Sequence, residues 1–327
     1  MKFVKFFDQL NKRSVAEAGG KGASLGEMAG AGIPVPPGFV VVAAAFDRFL
    51  EETDLNIEIE AVLDSLKHDD VNAVERASEK IRDMMRREVM PEDLKKEILS
   101  AYRKLFSPSP QSSPARGEEG SGLVAVRSSA TAEDSKAASW AGELETFLNV
   151  TEQDVLDKVM QCWSSLFTPR AIFYRIEKKL HKTPVSVAVV VQEMVQSEVS
   201  GVCFTVHPVT EDRNQMVIEA GFGLGEAIVS GSVTPDTYVI HKDDFLIEDI
   251  NVSEQKFAIV KTAKGNKEKK LSEKEGGRQK LTGKQIVELA KICKGIEKHY
   301  GSPQDIEWAW IQGKFYITQS RPITTLK

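Results

Sequence analysis

The stretch DIEWAWIQGKFYITQSRP, residues 305–322, constrains the fold more than any other part of the chain. Side chains alternate between the two faces of a strand. Two apolar-rich alternating runs around Gln312, Gly313 and Lys314 predict a β-hairpin. A three-residue loop pairs Ile311 with Phe315. Counting back, Glu307 faces Gln319 and Asp305 faces Arg321, all on one face, which Ala309, Ile311, Phe315 and Ile317 continue. A carboxylate beside an amide oxygen is a hard-oxygen pair suited to Mg²⁺, and an arginine one rung away suits a phosphate. A two-residue loop would put Glu307 and Gln319 on opposite faces. The residues alone leave that register open, and with it the plainer reading of an edge hairpin with a polar outer face.

Three more motifs hold chemistry-bearing residues. Gly19-Gly20-Lys21-Gly22 precedes a helical stretch expected at Ser24–Met28. Glycines let backbone N–H groups approach a phosphate, and a helix start adds positive charge. The motif is not GxxxxGK[ST], because Val15 and Gly22 stand where Gly and Ser or Thr are needed; taken alone it also fits a solvated lysine in a turn. Arg127 follows the apolar strand Leu123–Val126 and opens a small-residue loop containing Ser128, Ser129, Thr131, Glu133 and Asp134. A guanidinium at a strand end suits phosphate oxygens. Gly221-Phe222-Gly223-Leu224-Gly225-Glu226 resembles a dinucleotide fingerprint but has Glu226 where GxGxxG needs glycine. A tight strand-to-helix turn explains it equally well.

The rest of the chain sets limits. Helical periodicity covers Ala44–Glu52, Ile57–Leu66, Val71–Arg87 and Pro91–Phe106. Beyond Leu123, strands alternate with helices, residues 261–280 form a charged connector, and Ile286–His299 is a helix. This pattern is mixed α/β with a helical N-terminal part. Residues 107–122 are Ser, Pro, Gly and Glu with almost nothing apolar, as in a flexible surface insertion. The 43 basic and 48 acidic residues leave a net charge of −5, which provides no footprint for nucleic acid. Cys162, Cys203 and Cys293 are odd in number and widely spaced, against a disulfide framework and for a reducing, cytoplasmic setting. No apolar run approaches a membrane span, and the first residues lack a signal-peptide core. The five histidines, His68, His181, His207, His241 and His299, form no triad or zinc motif.

Gly20–Met28, Val126–Asp134, Glu145–Val150, Gly221–Glu226, Pro235-Asp236 and the Asp305–Pro322 hairpin occur in the order and spacing of one family. From about Asp8 to Pro322 the chain resembles the N-terminal nucleotide-binding domain of phosphoenolpyruvate synthases and pyruvate phosphate dikinases. The resemblance implies an ATP-grasp fold with ATP held between two lobes. The first lobe, with the helical part and the 107–122 loop, would span residues 1–190. The second would span 191–327. Lys21 and Arg127 would contact phosphates, and Arg321 the transferring phosphoryl group. Glu307 and Gln319 would hold Mg²⁺, with Asp305 orienting Arg321 or the metal. Gln192, Glu193, Met194 and Val195 would form the linker whose backbone reads adenine, and Glu219 would approach the nucleotide. Enzymes of this family continue into a domain with an acceptor histidine and a barrel that binds pyruvate, so this chain is expected to need a separate phosphohistidine and pyruvate-binding domain or subunit. Two other readings are the ATP lobe of a rifampicin-phosphotransferase-like enzyme and a nucleotide-binding protein without turnover.

Overall fold

The computed structural model describes residues 2–66, 70–107, 122–131, 144–178, 185–262, 265–324 and 326. Most of the expected 107–122 insertion, and Glu133, Asp134, His68 and His181, lie outside them. The described residues divide into two compact units, one made of those within 2–27, 37–107 and 122–194, the other of Met28–Pro36 and those within 195–326.

The first unit contains, in order, β1 (Val4–Phe6), α1 (Val15–Gly30), β2 (Gly38–Val41), α2 (Ala43–Glu52), α3 (Leu55–Asp64), α4 (Val71–Arg87), α5 (Glu92–Phe106), β3 (Val124–Ala130), β4 (Thr146–Val150), α6 (Val155–Ser164), α7 (Pro169–Glu177) and β5 (Val187–Glu193). Its antiparallel sheet has the order β1-β2-β5-β3-β4. The pleat sorts the side chains. Phe39, Val41, Val124, Val126, Val189 and Val191 face one way into a large core with the helices. Helix α4 buries Val74, Ala77, Ile81 and Met85, spaced at the helical period, joins that core through Ile81 and Met85, and starts where Asp70 accepts the Ala73 N–H. Val40, Val190, Arg127 and Ser129 face the opposite way, and α1 lies on that side: a Cβ at Gly22 would sit 3.0 Å from Val40.

The second unit continues with β6 (Val199–Phe204), β7 (Gln215–Phe222), α8 (Glu226–Val229), β8 (Asp236–His241), β9 (Ile247–Asn251), β10 (Phe257–Thr262), β11 (Gly265–Lys270), α9 (Glu273–Gly276), α10 (Gly283–Tyr300), β12 (Gln304–Ile311) and β13 (Lys314–Pro322). Its main sheet is antiparallel with the order β13-β12-β6-β7-β8-β9. Residues Met28–Pro36 join this unit, where the Ile317 N–H donates to the Pro34 carbonyl at 2.8 Å. Helix α10 buries Ile286, Leu289, Ala290, Cys293 and Ile296, and the Thr282–Gln285 capping box starts it.

Three expectations are revised. Strand β3 runs on through Arg127, Ser128 and Ser129, so the arginine sits inside a strand rather than at its end. Strands β1 and β9 were not anticipated, being too short to alternate visibly. The charged 261–280 connector is mostly ordered structure: the β10–β11 hairpin, α9, and a wholly buried lysine. The Lys280 ammonium lies 2.7 Å from Asp236 with neither side chain exposed. It also donates to the Gly276 carbonyl at 3.0 Å and to that of Ser253. Asp236 in turn accepts from Tyr238 Oη at 2.7 Å and from the backbone N–H groups of Ser253 and Lys280. A buried charge pair survives only when its remaining hydrogen bonds are satisfied, and here they are. Lys280→Met strands the Asp236 carboxylate and is expected to lower unfolding free energy by roughly 3–5 kcal/mol, read from urea denaturation; a loss below about 1 kcal/mol would mean the pair does not hold the connector.

Candidate functional site

In the second unit, a bulge decides where the polar side chains stand. Strands β12 and β13 turn through Gln312 and Gly313 alone, with Ile311 paired to Lys314. Both turn residues have positive φ, 48° and 79°, which matches a type I′ hairpin turn. The expected three-residue loop is therefore wrong. By simple counting, a two-residue loop would have separated Glu307 from Gln319. The register shifts once, between Glu307 and Trp308, so that Trp308 pairs with Ile317 and Glu307 with Gln319. Thr318 is the extra residue of a bulge. Beyond it, Asp305 pairs with Arg321, as expected. Toward the turn the face differs from expectation. Tyr316, not Phe315 or Ile317, accompanies Ala309 and Ile311, and these three form a small apolar cluster with Val195. The Phe315 ring instead packs against Trp308, centroids 5.7 Å apart.

The ladders extend this face across the sheet. Glu219 on β7 pairs with Val202 on β6, which pairs with Glu307, which pairs with Gln319. These four stand in one row and point one way. Thr237 on β8, paired with Glu219, extends the row. The adjacent row, Val217, Phe204, Asp305 and Arg321, shares the face. Arg321 holds one oxygen of Asp305 through two nitrogens, at 2.9 and 2.7 Å. Burial raises the Asp305 carboxyl above its usual range; Arg321 opposes the shift and nearby Glu307 adds to it. Burial, and then the charge of Asp305, likewise raise Glu219. Among the described residues no three His, Cys, Asp or Glu side chains converge on a metal position. Glu307 and Gln319 offer two hard oxygens side by side, a donor set that fits Mg²⁺, an ion that keeps several water or phosphate ligands.

In the first unit, Lys21 and Arg127 belong to one face of the sheet. Gly19 breaks α1 with φ 65° and ψ 175°, so the helix carrying Lys21 starts afresh at that point. The break abuts Ser129: a Cβ at Gly19 would fall 2.2 Å from Ser129 Oγ. That hydroxyl donates to the Ala18 carbonyl at 2.9 Å and accepts the Gly22 N–H at 3.3 Å. Strand β3 thus fixes the start of the Lys21 helix. Arg127, two residues before Ser129 on the same face, is buried, and Gln192 is buried at the end of β5. Ser129 was read as part of a motif without a role; it gains one only because the fold brings residues 107 positions apart into contact. Glu193 and Met194 follow Gln192, and their N–H groups donate to the carbonyls of Pro37 at 2.8 Å and Leu123 at 2.9 Å. Val195 begins the second unit, and its carbonyl accepts from Ser197.

The chain is similar to known proteins over nearly all of its length. Over its whole length the chain is 48% identical to a "Probable phosphoenolpyruvate synthase" of Methanocaldococcus jannaschii, covering 27% of that protein. It is 42% identical to the phosphoenolpyruvate synthase of Pyrococcus furiosus, again over the whole chain and 44% of the relative. It is 39% identical to the rifampicin phosphotransferase of Bacillus subtilis, over 97% of the chain and 35% of the relative. The chain thus spans less than half the length of each of these relatives. The family model described as the pyruvate phosphate dikinase AMP/ATP-binding domain matches residues 15–327. With its mixed helices and sheets, the chain is an α/β ATP-grasp-like nucleotide-binding domain and belongs to the pyruvate phosphate dikinase AMP/ATP-binding domain family.

Proposed function

We propose that the chain binds Mg²⁺–ATP and passes a phosphoryl group to a histidine on a separate domain or subunit. The observation that carries this reading is the pair of adjoining rows on the second unit's sheet: a two-oxygen metal pair, Glu307 and Gln319, beside an arginine anchored by Asp305. Phosphoryl transfer asks a protein for positioned cations and metal rather than a nucleophile. In this reading Glu307 and Gln319 hold the ion, which neutralises phosphate charge when bound. Arg321 contacts the phosphoryl group in transit, Lys21 and Arg127 contact the remaining phosphates, and Gln192 to Val195 line the adenine. The relatives named phosphoenolpyruvate synthase support a histidine acceptor, by the family resemblance. The rifampicin phosphotransferase relative supports a second reading, in which the acceptor is a hydroxyl on a small molecule. A cytoplasmic location is part of the proposal; no described helix is long and apolar enough to cross a membrane.

The first test is titration calorimetry of the chain with ATP, with and without Mg²⁺. Magnesium-dependent binding is expected, and absence of binding in both conditions would remove the reading. At limiting Mg²⁺, Glu307→Ala is expected to weaken ATP binding at least by the roughly 10- to 100-fold that outer-shell changes already cost a metal site. Equal affinity for the variant and wild type would count against Glu307 as a ligand. Arg321→Ala is expected to keep ATP affinity within about threefold while transfer falls by roughly 10³-fold, the lower end for a transition-state arginine; full transfer by the variant would show that the arginine has no part in the step.

A further inference from the structure

Two polar side chains on this face are given no definite contact by that reading: Glu219, expected only to approach the nucleotide, and Thr237. Among the described residues, neither Glu219 nor Thr237 makes a side-chain hydrogen bond or ion pair. A half-buried carboxylate without a partner costs stability, so the fold gains nothing by keeping Glu219 there. The other polar residues of the face are engaged: Asp305 holds Arg321, and Glu307 stands beside Gln319.

Position narrows what Glu219 can meet. It shares the Glu307 row but stands two strands away, about 9–10 Å at the usual strand spacing. The two-oxygen pair is made by the adjacent Glu307 and Gln319, and Glu219, which pairs with Val202 rather than with either of them, is not part of it. Phosphate oxygens are repelled by a bare carboxylate. Its natural partner is a group that donates a hydrogen bond. From Asp305, which anchors Arg321, Glu219 is two strands across and two residues along, roughly 12 Å between Cα atoms. Between them the face is floored by Val202 and Phe204, an apolar surface on which a flat ring can lie.

We propose that Glu219, with the Thr237 hydroxyl beside it, receives the phosphoryl acceptor, accepting the Nδ1–H of the incoming imidazole. This rests on the phosphotransfer reading above. With Nδ1–H held, the ring is fixed as the tautomer whose Nε2 carries the lone pair. That lone pair forms the N–P bond. The P–O bond to the nucleotide breaks, and its electron pair stays on the nucleotide's oxygen. The positive charge that N–P formation places on the ring is relieved as the Nδ1 proton moves toward the Glu219 carboxylate.

The test uses two small acceptors with the chain and Mg²⁺–ATP: imidazole, which has an N–H, and N-methylimidazole, which has none. Phosphorus NMR follows the N–P product, and calorimetry follows ATP affinity in parallel. Wild type is expected to phosphorylate imidazole at least about 10-fold faster than N-methylimidazole. Glu219→Ala is expected to lose that preference and about 100-fold of the imidazole rate, with ATP affinity unchanged within about threefold. Should Glu219→Ala fold poorly, the isosteric Glu219→Gln is expected to show the rate loss at wild-type thermal stability. Equal handling of the two acceptors by wild type, no N–P product from either, or an undiminished preference in the Glu219 variants would overturn the proposal. So would a Glu219→Ala loss of ATP affinity that is absent with 2′-deoxyATP, which would make Glu219 a ribose contact. Failure of wild type to bind Mg²⁺–ATP at all would instead defeat the reading on which the proposal depends.

Discussion

A single extra residue, Thr318, governs the chemistry of the second unit. The period of a strand is two, so a register change of one residue turns every later side chain to the other face. The Gln312-Gly313 turn sets one register near the hairpin tip, where Ala309, Ile311 and Tyr316 are buried together. The bulge resets it, and only after the reset do Glu307 and Gln319, and Asp305 and Arg321, meet as direct cross-strand pairs. The hairpin thus serves two demands that a regular ladder could not meet together: an apolar surface near the turn and a polar one farther along the same strands. Bulges are frequent beside active sites for this reason.

In the first unit the equivalent constraint is one hydroxyl. Ser129 bridges the Ala18 carbonyl and the Gly22 N–H across the break at Gly19. It satisfies a backbone donor that the start of a helix leaves without an intrahelical partner, and it ties that start to the strand that holds Arg127. Ser128, one residue earlier, points to the other side of the sheet and bonds the Cys162 carbonyl and the Ser165 hydroxyl. Consecutive serines on one strand thus pin two different layers to the same sheet, which accounts for small polar residues where a buried strand would otherwise be apolar.

Much of this was legible in the residues. Helix α4 appears over its full length in the sequence because its apolar period is unbroken. The pairs Glu307–Gln319 and Asp305–Arg321 were reached by counting, but through a loop of the wrong length. The omission of the bulge cancelled the error in the turn. Nothing local announces the bulge: Thr318 is an ordinary strand residue, and Gln312 lacks the Asn or Asp that usually marks a left-handed turn position. The buried Lys280 was hidden for a different reason. Lysine in a lysine-rich stretch reads as solvated, and its partner Asp236 lies 44 positions away. Thr237 was passed over because its place beside Glu219 exists only in the β7–β8 register. What periodicity encodes was readable; what a non-local register creates was not.

The charge balance of the face would link the proposed metal to the nucleotide. Glu219, Asp305 and Glu307 place three carboxylates on two adjoining rows, against the single guanidinium of Arg321. Burial pushes the carboxyls of Asp305 and Glu219 above the usual carboxylate range, and a like-charged neighbour adds to each shift. Like charges repel in a partly buried setting, so a bare polyphosphate brought to these carboxylates would meet charges of its own sign. In the proposed reading a divalent cation between Glu307 and Gln319 would relieve the carboxylates and give the phosphates a partner in the same event. Affinity for each should therefore depend on the other, as linkage requires of any two ligands that lower one another's free energy. Arg321 cannot substitute for the ion, because Asp305 already takes up much of its charge. That pairing holds the guanidinium in place, so in the proposed transfer little reorganisation would remain when a phosphoryl group passes.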